Sequence, residues 1–302
     1  MESVVVPEPL IDRVIRRQGW LEGVGDFVQA AVRRSYRALG PLGPELRDLL
    51  HGSRGLGHPL HPALTDLPLG AWTAGVVMDY VAHFTTAIGP QAGDIALAIG
   101  LVTSLPAIAS GLTDSQDTYG HERRANMLHG LTMTLAVLLM AASLGLRWWA
   151  GFGLHPLAVG ISTAGLVVAM AGMYVGGHLT FAMGTMVNRS AFLSGPADFV
   201  SLGASGDFPE GTLRRVDAGG LPVLVVRRGG QLYAMGAVCS HAGGPLEAGE
   251  LNGTVVTCPW HGSRFDVRSG SVRRGPATFG QPRLIVREAG GMAEAKLEHP
   301  LQ

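Results

Sequence analysis

The sequence is poor in charge and in cysteine. Only 15% of its 302 residues are charged, against about 25% in an average soluble domain, and only two are cysteines. The 23 basic and 23 acidic side chains cancel, which argues against a nucleic-acid partner. Two cysteines exclude a disulfide-rich secreted scaffold, and the composition excludes collagen-like and disordered chains. The length allows two domains.

The few charges are unevenly distributed along the chain. Residues 1–54 hold 15 of them, residues 55–188 hold nine, and residues 198–302 hold 21. The middle stretch is therefore too apolar for a domain with a water-facing surface. Each of its apolar segments is close to the length of about 20 residues that crosses a membrane. They lie at about 62–84, 95–113, 125–146 and 156–182.

The first apolar segment is the weakest candidate for a span, because Asp66 and Asp79 interrupt it. We count it as a span, with Asp66 at the helix entrance and Asp79 facing the bundle interior. Eight arginines precede it, whereas the loop at 85–94 has none. Because positively charged loops stay inside, four spans place both ends of the chain in the cytoplasm. If the first segment does not span, the C-terminal domain is placed outside.

Residues 10–39 show apolar side chains at helical spacing and six arginines on another face. This pattern predicts an amphipathic helix, and we interpret residues 1–54 as a segment at the membrane interface. The alternative is a helix that packs against the membrane domain of its own chain.

Residues 185–197 are interpreted as a linker, so that the membrane domain covers residues 55–184 and the last domain residues 198–302. In the last domain, short apolar runs alternate with glycine turns, and residues 221–234 fit two strands joined by Arg228-Gly-Gly. This pattern predicts a small antiparallel β domain. The expected fold class is therefore α+β multidomain: an amphipathic helix, a transmembrane four-helix bundle and a β domain.

Both cysteines lie in the predicted β domain, and each has a histidine close by. The chain reads Cys239-Ser-His241 in one place and Cys258-Pro-Trp-His261 in another. Two thiolates and two imidazoles can bind a tetrahedral zinc ion or a [2Fe–2S] cluster. A mixed cysteine and histidine pair in each of two loops favours the cluster, with both thiolates on one iron and both imidazoles on the other.

Residues 198–296 strongly resemble Rieske iron–sulfur domains. The resemblance rests on CSHAGGPL, on CPWHGSRFDVRSGSV and on the following Gly275-Pro-Ala. It implies a compact β fold whose two ligand loops form the tip, and a [2Fe–2S] cluster with one Cys-ligated and one His-ligated iron. The cluster ligands that it implies are Cys239, Cys258, His241 and His261.

The two loops differ from those of the quinol-oxidising Rieske proteins, which carry an extra cysteine in each loop. Gly244 and Trp260 occupy those positions, so no disulfide can form there. Ser263 is retained, but Phe265 stands where a high-potential Rieske domain has a tyrosine that donates a hydrogen bond. The resemblance thus implies the ferredoxin type, at the low end of a range of about −150 to +300 mV. The lack of disulfides also agrees with a reducing, cytoplasmic location.

The membrane half of the chain also contains histidines. His61, His129 and His178 all fall toward the predicted cytoplasmic face. One hypothesis is a b-type haem or metal site that these three residues form between the helices. The alternative is that they are structural histidines. The motif GHPLHPALTDLPLG and the four-span layout resemble a bacterial membrane-domain family without an established function, over about residues 55–185. That resemblance implies a layout but no activity.

The expected function is one-electron transfer by a multi-pass Rieske protein of the inner (cytoplasmic) membrane, with the [2Fe–2S] domain on the cytoplasmic side. The expected partners are the lipid bilayer and a redox protein, either a reductase or an acceptor. A second hypothesis is a quinone- or haem-linked membrane oxidoreductase in which the β domain is one redox station, and a third is a redox sensor. No additional domain with a two-His, one-carboxylate iron site is evident, which argues against an oxygenase.

Overall fold

The computed structural model describes residues 9–298, which form two compact units. The helical unit consists of the residues up to Gly43 together with Leu60–Thr185. The β unit consists of Pro44–Pro59 together with the residues from Met186 onward. The predicted segment 1–54 is thus divided between the units. Its first eight residues, and the last four of the predicted β domain, lie outside the described residues.

Seven α-helices precede the strands in the described part of the chain. They are α1 (Leu10–Arg17), α2 (Leu21–Ala38), α3 (Leu42–His51), α4 (Leu60–Phe84), α5 (Ala92–Asp114), α6 (Gly120–Ala150) and α7 (Pro156–Phe181). Three helical stretches are long and apolar enough to cross a membrane, namely Ala92–Asp117, Gly120–Ala150 and Pro156–Phe181. The helix α4 is 25 residues long but is not among them. Its two aspartates, Asp66 and Asp79, interrupt the apolar run.

The prediction of one amphipathic helix over residues 10–39 is wrong. The chain forms α1 and α2 with a turn between them, at Gly19, a residue that weakens a helix interior. The turn lets Ile15 of α1 and Leu21 of α2 both become fully buried. Ile15 packs against side chains of α6 and α7, so this segment packs on the helices of its own unit.

Large apolar side chains cover much of the outside of α4–α7, whereas several polar side chains are buried inside. In mid-helix, Val102 and Leu105 are 66% and 64% exposed. Ser143 and Ser162 are fully buried. Helices in water show the opposite distribution, so this arrangement favours a lipid environment.

The four long helices form two similar hairpins, α4–α5 and α6–α7. Both α4 and α6 contain a Leu-His pair and, eleven residues after the histidine, a large side chain, Trp72 or Met140. Trp72 packs against Gly100 of α5, and Met140 packs against Gly165 of α7. The chain therefore repeats one helical hairpin, a relation that the sequence alone did not lead us to predict.

Matching positions of the two hairpins also carry a buried ion pair. Asp79 of α4 and Arg147 of α6 each follow the histidine by eighteen residues. The two Arg147–Asp79 hydrogen bonds measure 2.8 and 2.6 Å, and both side chains are fully buried. Arg147 also donates to Asp94 of α5 and to Ser162 of α7, so it links all four helices. The prediction that Asp79 faces the interior is confirmed.

The β unit contains two antiparallel sheets. Its strands are β1 (Val200–Ala204), β2 (Arg214–Ala218), β3 (Leu221–Arg228), β4 (Gln231–Gly236), β5 (Glu250–Asn252), β6 (Val255–Thr257), β7 (Arg264–Asp266), β8 (Val272–Arg274), β9 (Arg283–Ala289) and β10 (Met292–Leu297). The six-stranded sheet has the order β1-β10-β9-β4-β3-β2, and the four-stranded sheet has the order β5-β6-β7-β8. The hairpin predicted over residues 221–234 is confirmed as β3–β4. Gly229 and Gly230, with φ of 62° and 79°, supply the two positive φ values that its tight turn needs.

The segment Pro44–Pro59, which includes most of α3, packs on the β unit. Asp48 lies 3.8 Å from the Arg274 guanidinium, and Ser53 lies against Gly275. His51 is only 1% exposed. Residues 44–54 were predicted to lie at the membrane interface with the rest of residues 1–54, and residues 55–59 were predicted to belong to the membrane domain.

Candidate metal centre

Two loops of the β unit carry the four side chains that were predicted to bind a metal. The first loop follows β4 and holds Cys239 and His241. The second loop joins β6 to β7 and holds Cys258 and His261. The strands thus fix both ends of the second loop and the start of the first.

Each loop makes the same tight turn. The carbonyl of Cys239 accepts a hydrogen bond of 2.8 Å from the amide of Gly243, and that of Cys258 accepts one of 3.1 Å from the amide of Gly262. Both glycines have positive φ, 82° and 75°, which other residues rarely adopt. The turns leave the cysteine and histidine side chains of both loops on the same side of the unit.

The turns bring donor atoms of the same kind together. The Cys239 and Cys258 thiols hydrogen-bond to each other. The His241 and His261 rings meet edge to face, with their centroids 4.9 Å apart. Each sulfur also accepts hydrogen bonds from the backbone amides two and three residues further along its loop. Sulfur and nitrogen donors are therefore sorted into two adjacent pairs.

The protonation states suit metal ligands. The hydrogen bond that Cys239 donates to the Cys258 sulfur lowers the pKa of Cys258 to about 6 and raises that of Cys239. Burial, followed by the nearby His261, His51 and Arg189, lowers the pKa of His241 to about 3. Near neutral pH, one thiolate and a neutral imidazole are thus available, and these are the forms that bind metal ions.

The donor set fits a two-iron cluster better than a single ion. Among residues 9–298, no group of three or more His, Cys, Asp or Glu side chains is placed to hold one ion. The His241 Nδ1 is buried and has no hydrogen-bond partner among the described residues. A Cβ at Gly244 would lie 2.8 Å from the Cys258 Sγ, so glycine keeps the space beside that sulfur open. Two thiols for one iron and two imidazoles for the other match a [2Fe–2S] cluster.

The side chains around the donors were partly predicted. Phe265 and Ser263 are fully buried, and Phe265 packs in the same apolar cluster as both cysteines. The Ser263 hydroxyl accepts a hydrogen bond from the Ala277 amide, so its own proton can still be donated. Trp260 is 56% exposed and lies beside His261, with ring centroids 6.3 Å apart.

Sequence reasoning missed two basic neighbours of His241. His51 and Arg189 both disfavour its protonated form. Arg189 also donates its amide to the Ser240 carbonyl, beside this ligand. His51 is about 190 residues away in sequence, on α3, and no pattern in the β domain pointed to it.

The structure separates the three membrane histidines that were predicted to form one site. The His61 and His129 rings lie 6.1 Å apart, centroid to centroid. His178 instead pairs with Asp12 of α1, with 2.9 Å between Nε2 and Oδ1, and His121 contacts the same carboxylate at 3.2 Å. Burial raises the pKa of Asp12, but the hydrogen bonds to His121 and His178 outweigh it, and the pKa is lowered.

Comparisons with known proteins agree with this geometry. Residues 198–286 match the Rieske [2Fe-2S] domain family, and residues 57–189 match the family described as predicted membrane protein DUF2231. Neither match bears on a haem.

Several of the matching proteins are ferredoxins by name. Ferredoxin CarAc of Metapseudomonas resinovorans is 41% identical over 76 residues, 25% of this chain and 71% of that protein. The ferredoxin component of biphenyl 2,3-dioxygenase from Rhodococcus jostii (strain RHA1) is 35% identical over 95 residues, 32% of this chain and 89% of that protein. The solved ferredoxin of carbazole 1,9a-dioxygenase from Nocardioides aromaticivorans IC177 is 29% identical, covering 32% of this chain and 95% of its own, with a TM-score of 0.31.

The paired sulfur and nitrogen donors, the two glycine turns and the ferredoxin relatives all concern the same β unit. The chain belongs to the Rieske [2Fe-2S] domain family, and it joins this electron-transfer domain to a DUF2231 membrane-protein domain.

Proposed function

We propose that the chain is a membrane-anchored, ferredoxin-type Rieske protein that transfers single electrons between redox partners. The observation that carries this proposal is the sorting of the donors, Cys239 with Cys258 and His241 with His261. Bound by these side chains, a [2Fe–2S] cluster would supply one-electron chemistry. One relative is by name a ferredoxin and another is the ferredoxin component of a dioxygenase, so the expected partners are a reductase and an oxygenase-type acceptor.

The chain's own groups would hold and tune the cluster. The backbone amides that bond to the two cysteine sulfurs would favour the more negative, reduced form. Phe265 excludes water and donates no hydrogen bond, which keeps the potential toward the low end of the Rieske range. Trp260, exposed beside His261, would offer a flat apolar surface to a docking partner.

We further propose that α4–α7 all span the inner membrane and that the Rieske domain is cytoplasmic. The 25 residues of α4 give a length of about 37 Å, which exceeds the apolar thickness of a bilayer. The pairing of α4 with α5 repeats that of α6 with α7. The exposed Trp20 and Phe27 of the α1–α2 segment would then lie at the membrane interface. The arginines before α4, and their lack in the next loop, support this orientation.

A second candidate is a quinone- or haem-linked membrane oxidoreductase in which the cluster is one redox station. The observation that favours it is the facing pair of His61 and His129 in the helical unit.

Metal analysis and EPR of the full chain, purified in detergent, test the first proposal. We expect about two iron and two acid-labile sulfide per chain and an EPR signal after one-electron reduction. Cys258→Ser and His261→Ala should lose the signal. The control His83→Ala changes an exposed histidine of the helical unit and should keep it. One zinc ion per chain without sulfide would contradict the proposal.

A further inference from the structure

Two histidines of the helical unit make the same kind of hydrogen bond. The His61 Nδ1 is 2.8 Å from the carbonyl oxygen of Ala107 on α5. The His129 Nδ1 is 2.8 Å from the carbonyl oxygen of Gly172 on α7. Each ring therefore bonds to the second helix of its own hairpin, at matching positions of the repeat.

Each ring also lies against a glycine one turn beyond that carbonyl. A Cβ at Gly111 would lie 2.8 Å from the His61 Cε1, and a Cβ at Gly176 would lie 3.0 Å from the His129 Cε1. Both rings thus occupy space that any larger residue on the facing helix would take away.

The hydrogen bonds fix which ring nitrogen can bind a ligand. A carbonyl oxygen can only accept, so Nδ1 carries the proton in both rings and Nε2 carries a lone pair. Among the described residues, neither Nε2 has a hydrogen-bond partner. Metal-binding histidines use the same arrangement, in which the other ring N–H donates to a carbonyl or carboxylate.

The distance between the rings suits a shared metal. Two imidazole–metal bonds of about 2 Å each, added to the dimensions of the rings, separate the ring centroids by about 6 Å. The centroids of His61 and His129 are 6.1 Å apart, with the ring planes at 80°. Both rings are partly exposed.

We propose that His61 and His129 are the two axial ligands of one haem iron, bound where the hairpins α4–α5 and α6–α7 meet. Two protein ligands suit haem because the macrocycle supplies four further nitrogens, whereas a bare ion usually takes three or four side chains. Residues 9–298 contain no group of three or more His, Cys, Asp or Glu side chains that is placed to hold a metal ion. His178 is not a ligand, because its Nε2 bonds to Asp12. The site deepens the second candidate function but does not depend on the cluster, since neither cysteine lies in the helical unit.

The test is the optical spectrum of the full chain, expressed with added haem precursor and purified in detergent. We expect a Soret band and about one pyridine-extractable haem per chain. His61→Gly and His129→Gly should each lose the band, and added imidazole should restore it by replacing the missing ring. His178→Ala should keep the band, which separates the proposed pair from the three-histidine site.

Two further variants keep the outcome decisive. Cys258→Ala removes a cluster ligand and should leave the Soret band unchanged, so failure of the cluster and failure of the haem site are distinguishable. Gly111→Ala retains both imidazoles but displaces the His61 ring, and haem should transfer from it to apomyoglobin faster than from the wild type. A haem-free wild type, a bound ion without porphyrin, or a band that survives both histidine substitutions would overturn the proposal.

Discussion

In the β unit, the proposed cluster site depends on four donor side chains and on the residues that surround them. The four donors come from two loops with the same turn, and Gly244 leaves room beside one sulfur. Phe265 places an apolar ring next to the cysteines. A hydroxyl group at this position would change the electronic environment of a cluster that the cysteines bind. At this scale, a single added oxygen or a single lost charge should have a measurable effect.

Phe265→Tyr should raise the midpoint potential. A hydroxyl that donates one hydrogen bond to the reduced form contributes about 1 kcal/mol, or ~40 mV for a one-electron couple. EPR-monitored redox titration measures the shift. Phe265→Leu is the matched control, because it changes the packing without adding a donor and should not move the potential upward. A tyrosine variant with an unchanged or lower potential would refute the assigned role.

Asp266→Asn should destabilise the β unit at neutral pH but much less in acid. This carboxylate is 2% exposed and accepts hydrogen bonds from Arg268 and Arg273. Those bonds, led by Arg268, hold the pKa of Asp266 well below its usual range. Its stabilisation is therefore complete above the unfolded pKa of about 4 and is lost as the pH falls from there toward the folded pKa.

Hydrogen exchange of the β7 amides in the full chain measures this effect. The asparagine variant should lose about 2 kcal/mol of local stability at pH 7, as expected for a hydrogen bond to a charged group. The difference from wild type should shrink below pH 4. Asp217→Asn, whose carboxylate accepts a bond from the Gly220 amide at an exposed turn, serves as the control. A difference that stays constant with pH would contradict the linkage.

Among the elements, the repeated hairpin is the main organising feature of the helical unit. Each hairpin packs a large side chain on a glycine near its middle, and Arg147 closes one end by bonding to residues of the other three helices. A buried guanidinium with two carboxylates is stable only as a set, because removing one partner leaves an uncompensated charge.

Arg147→Met should destabilise the helical unit by about 3–5 kcal/mol, since Asp79 and Asp94 would stay buried without a counter-charge. Thermal unfolding in detergent, followed by circular dichroism, measures the loss. Ser162→Ala removes only a neutral partner of the same guanidinium and should lose about 1 kcal/mol. Equal melting temperatures for Arg147→Met and wild type would show that the ion pair is dispensable.

The sequence predicts elements well where the pattern is local. Apolar runs locate α4–α7, alternation and glycine turns locate β3–β4, and the cysteine–histidine spacing locates the candidate ligands. Contacts between distant segments do not follow from such patterns. Two examples are the packing of His51 on the β unit and the hydrogen bond between His178 and Asp12. Both depend on tertiary neighbours that lie far away in sequence. For the same reason, only two of the three membrane histidines that were predicted to form one site lie next to each other.

For the whole molecule, the main consequence is the covalent link between a ferredoxin domain and membrane helices. Relatives such as ferredoxin CarAc match mainly this one domain, over 25% of the present chain. If α4–α7 span the membrane, the tether restricts the Rieske domain to a thin layer near the bilayer. Its effective concentration toward membrane-bound partners then rises without any new contact.

Thiol labelling in intact cells checks the proposed topology. Both native cysteines are buried, so a cysteine introduced at an exposed loop position is the reactive one. Ala87→Cys, between α4 and α5, should react with a membrane-impermeant maleimide from outside. Ala191→Cys, after α7, should react only after permeabilisation. The opposite result would place the Rieske domain outside, as expected if α4 does not span or if all four helices cross in the reverse orientation.

The ion pair between matching positions 79 and 147 also restricts how the two hairpins can assemble. Two identical hairpins assembled as a symmetric dimer would bring aspartate opposite aspartate, or arginine opposite arginine, at this depth. Opposite charges at equivalent sites therefore require two halves of different sequence. The present arrangement of Asp79 and Arg147 thus prevents either half from forming the same ion pair with a copy of itself.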